Sequence, residues 1–316
     1  MTSASQILAV HADWSIDPKK RWMCIAGGTG LRIAPVGDLR TLLPRLNEEA
    51  EGRPIVLGVD FPLGVPRAYA EKHLHQTDFP SFLTTLPETF LDVAETLGDL
   101  HPNRPFYPQR GRAGMTRLSH ARALGLTQAQ DLSRVCDRKT NDRPAGAPLF
   151  WTLGANQTGK AAISAWRDLI IPNLGGPIAL WPFAGPLHAL LKPGQIAIAE
   201  TYPAEAMRQL AIPMNGSKRR HADRSALQTP LHKTMARLGV HATPELVHSM
   251  DDGFGRDAAG EDRLDCLLGL LCVLNVLQGN RPDTAPPDPS IQRWEGWVLG
   301  QHHPSTSSDQ SGPPAG

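Results

Sequence analysis

The chain has no CxxC pair, no GxSxG and no HExxH, and these absences remove much of the familiar catalytic repertoire. The four cysteines, Cys24, Cys136, Cys266 and Cys272, are widely spaced and three lie in apolar runs. They read as small core residues of a reducing compartment, which excludes a disulfide framework or a zinc site. Without GxSxG there is no hydrolase nucleophile elbow, and without HExxH no zincin helix. GANQTGK, ending at Lys160, lacks the GxxxxGK[ST] spacing and has no clear strand before it, so it is not a P-loop. Excess charge is also missing. The formal net charge is +1, which names no polyanionic partner for the whole molecule. Nor is there a long hydrophobic run. Leu264 to Leu277 is interrupted by Asp265, Gly269 and Asn275 and falls short of the roughly 20 residues of a membrane span. MTSASQILAV has neither the basic start nor the long apolar stretch of a signal peptide, so a soluble, cytoplasmic protein is expected.

What is present is a set of acids where strands end. Asp13 closes ILAVHAD, Asp60 closes IVLGVD and Glu200 closes IAIAE, while Asp262 and Asp265 open the apolar helix candidate EDRLDCLLGLLCVLNVL. Strand ends along one sheet edge are close in space. Two like charges at contact repel by about 1 kcal/mol in water and about 4 kcal/mol near a protein surface, and a divalent cation relieves that repulsion. Oxygen donors select Mg2+ or Mn2+. Two such ions activate water and stabilise the leaving oxygen of a phosphodiester without any side-chain nucleophile. The expectation is therefore a metal-dependent hydrolytic site with Asp13, Asp60, Asp262 and Asp265 as metal ligands and Glu200 beside them. Taken singly, Asp60 suits a turn before Pro62, Asp13 a cap for SIDPKK, and Asp262 the positive end of a helix dipole. Asp265 lies deeper and is the better ligand. His11, two residues before Asp13, reads as a hydrogen-bonded structural residue.

The 316 residues accommodate one large domain. Strands are expected over 6–13, 21–26 and 31–36, with the glycines at 27, 28 and 30 forming a hairpin connection. Asp38 caps a helix over 39–51, and 55–59 is a buried strand. The order is β-β-β-α-β. A Pro-, Gly- and Arg-rich insertion occupies about 65–194, with helical stretches near 67–75, 87–98, 116–123, 127–135 and 159–170. A fifth strand follows at 195–200. Helices are expected just after it from Pro203, then near 227–238, 244–249 and 261–278. IQRWEGWVLG is expected to pack back on the domain, and the tail 301–316, poor in apolar residues, to be disordered.

The basic residues are uneven. Between Arg104 and Arg143 stand eight arginines and one lysine against three acids, a local excess of +6, with Phe106 and Tyr107 interleaved; Lys218, Arg219, Arg220 and Arg224 form a second run. Both suit a surface that tracks a phosphate backbone, or a solvated face balancing the acids. In CDRKTN and WTLGANQTGK, the polar residues Arg138, Lys139, Asn156, Gln157 and Lys160 are candidates for substrate contact, or for a loop tied down by its own hydrogen bonds.

VLGVDFPLGVP, RVCDRKTN, FWTLGANQTGK, LWPF, AETYPAEAM and EDRLDCLLGLL together resemble the predicted nucleases grouped as domain of unknown function 429, over roughly residues 7–300. The resemblance implies an α/β, ribonuclease H-like fold: a mixed five-stranded sheet flanked by helices, strand two antiparallel, from which this chain departs by the long helical and loop insertion between strands four and five. It implies acids on strand one, strand four and the final helix, which fall on Asp13, Asp60 and Asp265, with Glu200 as an extra strand-five acid. Strand one here reads HADWS in place of a glycine-flanked DxG. The expected activity is a Mg2+- or Mn2+-dependent nuclease acting on DNA or RNA by two ions. The alternative is a non-catalytic nucleic-acid or partner-binding module on the same fold. A phosphotransferase of the actin-like relatives needs a glycine-bearing hairpin after strand one, and SIDPKK has none.

Overall fold

Strand parity organises the molecule. In β1 (Leu8–Asp13), Leu8, Val10 and Ala12 enter one buried cluster and Ala9 another, so the strand is covered on both faces. β4 (Ile55–Val59) repeats the pattern, with Ile55, Leu57 and Val59 on the first face and Val56 on the second. In β6 (Ile196–Glu200), Ile196 and Ile198 take the first face, Ala197 and Ala199 the second. β2 (Trp22–Gly27) and β3 (Gly30–Pro35) form the expected antiparallel hairpin beside β1, whereas β1, β4 and β6 are parallel. The computed structural model describes residues 6–111, 114–141, 143–153 and 158–302. The sheet has six strands, in the order β3-β2-β1-β4-β6-β5. The extra edge strand is β5 (Ile178–Leu180), parallel to β6. The expectation of five strands is thus corrected. Pro177 and Pro182 flank β5 and leave too little length for a visible alternation.

Helix α1 (Leu39–Ala50) starts where Asp38 accepts a hydrogen bond from the Arg40 N–H, and buries Leu42, Leu43 and Leu46 on the first face. The insertion covers that same face. Its helices are α2 (Arg67–His73), α3 (Phe79–Thr84), α4 (Arg117–Ala123) and α5 (Thr158–Ala165), and it adds no second sheet among the described residues. The expected helix at 87–98 is absent: Ala94 N–H donates to the Phe106 carbonyl, which draws this stretch into turns and a bridge between Val93 and Phe106. Phe82, Phe90, Phe106 and Phe150 pack edge to face with centroids 5.0–6.3 Å apart.

The second face belongs to α10 (Gly260–Leu277), preceded by α6 (Pro203–Gln209), α7 (His221–Ser225), α8 (Gln228–Arg237) and α9 (Pro244–Asp251). α10 is buried nearly all round. Two glycines let it approach the sheet. A Cβ on Gly269 would stand 2.2 Å from His11 Nε2, and one on Gly58 would stand 2.7 Å from Val273 Cγ2. His11 sits in that gap and shares a 2.7 Å hydrogen bond with the Thr201 hydroxyl, the structural role its sequence position suggested. All four cysteines are free and buried. No helix among the described residues is long and apolar enough to cross a membrane.

The C-terminal segment locks the exit of β4. Val65 N–H donates to the Trp294 carbonyl at 2.7 Å. Leu63–Gly64 and Glu295–Gly296 pass so closely that a Cβ on either glycine would lie 2.0–2.1 Å from the opposing carbonyl oxygen. Both have positive φ. Trp297 is buried, as is Gln301, the first residue of the expected tail; residues 303–316 lie outside those described.

Candidate active site

Parity and register bring the first two acids together. Asp13 continues the Ala9–His11 face of β1, and Asp60 follows Val56 and Gly58 on β4. Ala12 pairs with Val59 in the parallel ladder, so the next residues, Asp13 and Asp60, stand level at the sheet's end, on the face α10 covers. Asp60 Oδ1 accepts the Trp14 N–H at 2.6 Å. The first turn of α10 supplies Asp262, and Asp265 lies one turn deeper. All four carboxylates line one cleft of about 670 Å3, together with Asp17, Lys20, Lys160, Lys218, Arg219 and Glu261.

The electrostatics record the crowding. Burial first, then the charges of Asp60, Asp265 and Asp262, push the Asp13 pKa well above the usual carboxylate range. Burial likewise raises Asp60 to about 7, against the opposing pull of the Trp14 N–H and a hydrogen bond from Asp13. Asp262 is raised to about 6, chiefly by burial, and its Oδ2 is buried without a hydrogen-bond partner among the described residues. Asp265 differs. Lys218 Nζ stands 2.6 and 2.5 Å from its two oxygens. Burial works against that ammonium, but Asp265, Glu261 and Asp13 outweigh it and hold the lysine pKa above its ordinary value.

Glu200 does not join the cleft. It shares the parity of Ile196 and Ile198, which turns it to the opposite face. There Arg134 grips both its oxygens at 2.6 Å, and the Leu63 N–H donates to Oε2 at 2.8 Å. Glu200 is corrected from a site acid to an internal counter-ion. Arg138 and Lys139 are also absent from the cleft lining, because the 135–137 turn is drawn to this same pair: Arg134 bonds Asp137 at 2.9 Å and Val135 N–H donates to Glu295. Lys160 does line the cleft, while Asn156 and Gln157 lie outside the described residues.

In the sequence Lys218 and Arg219 stand out only as part of a basic run, and Arg134, the first residue of RVCDRKTN, carries no sign of its role. A lysine 47 positions before the acid it meets leaves no local signal. Two grooves extend the cleft. One of about 620 Å3 shares Ile16 and Lys160 with it and adds Arg104 and Arg167. The other, about 600 Å3, shares Ala204, Lys218 and Glu261 and adds Met207, Ile212 and Met214.

Among the described residues, no group of three or more His, Cys, Asp or Glu side chains stands ready to hold a metal ion. The donor chemistry nevertheless fits a hard divalent cation: carboxylate oxygens only, raised proton affinities where charges meet, and the orphaned Asp262 Oδ2. No family model, curated protein or solved structure matches the chain.

Proposed function

We propose that this cleft hydrolyses phosphodiesters with the aid of Mg2+ or Mn2+, and that its substrate is DNA or RNA. The observation that carries the reading is the meeting of Asp13, Asp60, Asp262 and Asp265, from three distant stretches, at one end of the sheet within a ring of cationic side chains. The parallel β1–β4 pairing beside an antiparallel hairpin is compatible with a ribonuclease H-like fold, and the motif resemblance to the domain of unknown function 429 nucleases points the same way.

Asp13, Asp60 and Asp262 would hold the ion, which when bound polarises the phosphoryl group and makes water nucleophilic at neutral pH. Burial and the neighbouring acids favour the protonated form of Asp13, which hydrogen-bonds the Asp60 carboxylate. Lys160 and Arg219 flank the acids and bind the substrate's phosphate oxygens. Arg104 and Arg167 in the adjoining groove extend that grip along a polyanionic strand.

Asp60→Asn and Asp13→Asn are expected to abolish Mn2+-dependent cleavage of single- and double-stranded DNA and RNA while the circular dichroism spectrum stays native. Wild-type turnover in either variant removes that residue from the mechanism. A second reading, a nucleic-acid or partner-binding module without catalysis, draws on the Lys218–Asp265 pair, which satisfies one acid with no ion at all. It requires salt-sensitive binding that is indifferent to chelators.

A further inference from the structure

Resting on the metal-dependent reading above, we propose that Lys218 is the second cation of this cleft, a tethered ammonium occupying Asp265, so that the site takes one divalent ion through Asp13, Asp60 and Asp262 in place of two.

The hydrogen bonding of Asp265 is the first argument. Both its oxygens are taken by Lys218 at 2.6 and 2.5 Å, whereas Asp262 keeps a buried oxygen without a partner among the described residues. A second ion at Asp265 would displace the ammonium from the carboxylate it hydrogen-bonds, in a largely buried place where its side chain is only 21% exposed.

The backbone behind Lys218 is the second. Arg224, 2% exposed, donates to the Lys218 carbonyl at 2.7 Å and anchors itself on the carbonyls of Gly253 and Gly255 at 2.8 and 2.6 Å. The Ser217 N–H donates to Asp223 at 2.8 Å. Gly216 has φ +134, and a Cβ there would lie 2.2 Å from Asp223 Oδ2. The lysine therefore projects from a braced loop whose position is set independently of Asp265.

Charge balance is the third. The cleft is lined by six carboxylates (Asp13, Asp17, Asp60, Glu261, Asp262, Asp265) and four cations (Lys20, Lys160, Lys218, Arg219), a formal −2 with every group ionised, as ion binding requires of its ligands. One divalent ion neutralises it. Two would overshoot by as much as the empty cleft falls short, and would repel Lys160 and Arg219, the groups that meet the phosphate.

The test is Mn2+ binding to the chelator-stripped full chain, followed by calorimetry for stoichiometry and by electron paramagnetic resonance for spin coupling between ions. Wild type is expected to bind a single uncoupled ion. Lys218→Met is expected to admit a second ion and to show the coupled signal, and Lys218→Arg to remain at one. Asp265→Asn, which preserves shape, is expected to keep the ion with an affinity within about twofold of wild type, whereas loss of a true ligand weakens it by at least about tenfold. Two ions on wild type, an unchanged single ion on a folded Lys218→Met, or a tenfold loss in Asp265→Asn overturns the assignment of Lys218 while sparing the metal-dependent reading. No Mn2+ bound by any of the proteins overturns both.

Discussion

Asp60 and His11 lie on the same face of the sheet, and their buried ionisations oppose one another. Asp60 moves from 3.8 to about 7 on folding. A raised acid pKa favours the fold fully below about 4, and that contribution is lost as the pH climbs to 7. His11 moves the other way, from 6.5 to about 3, because burial disfavours the imidazolium. Its penalty is absent above 6.5 and grows as the pH falls towards 3. Between pH 4 and 6.5 the two slopes cancel, each bounded by a few kcal/mol. The metal-free Asp60→Asn protein is accordingly expected to gain melting temperature relative to wild type as the pH rises from 4 to 7, and to be the more stable of the two at pH 8. Thermal melts in chelator at pH 4, 6.5 and 8 check this; parallel curves for the two proteins would contradict the burial of the Asp60 charge. Saturating Mn2+ is expected to stabilise wild type at pH 8 and leave Asp60→Asn unmoved.

At the scale of elements, α10 delivers its acids only because it lies unusually close to the sheet. Gly269→Ala drives a methyl into the His11 ring, and overpacking of this kind costs about 1–3 kcal/mol. The expected readout is a lower denaturant midpoint accompanied by weaker Mn2+ binding, since Asp262 shifts with the helix. An unchanged midpoint would show that the helix yields freely. Much of this was legible beforehand. The β1 and β4 runs ended in acids, the hairpin glycines and the Asp38 cap were plain, and α10 announced itself as an apolar stretch opened by two aspartates. Glu200 was misjudged although its sequence held the answer. Counting alternation back through Ile198 and Ile196 puts it on the face opposite Ala197 and Ala199, so sharing a sheet end with Asp60 did not mean sharing a side. β5 was too short to read between two prolines. Lys218 was invisible as a partner because pairing across a braced loop depends on Arg224 and the distant carbonyls of Gly253 and Gly255, none of which has a periodic signature.

For the molecule as a whole, the Arg134–Glu200 pair ties the insertion to the central sheet. Both groups are almost wholly buried, so removing one partner strands the other. Glu200→Gln is expected to destabilise the protein by about 3 kcal/mol while Mn2+ affinity and stoichiometry stay as in wild type. A matching loss of metal would return Glu200 to the site. The same arginine reaches the carbonyls of Leu63 and Glu295 at 3.4 and 3.3 Å, so insertion, sheet and C-terminal segment converge on one side chain. Shortening the chain to residue 290 is expected to abolish the cooperative melt, measured by calorimetry.

That convergence has a bearing on timing. The turn leaving Asp60 is held by backbone that the ribosome adds more than two hundred residues later, where Gly64 meets Glu295 and Gly296 meets Leu63. A nascent chain still short of Trp294 already carries every cleft acid, and Trp166, Glu200 and Arg134 can already hold Pro62 and Leu63, but the backbone at Gly64 and Val65 lacks its partner. The turn beyond Asp60 therefore closes fully only when the last stretch clips into place.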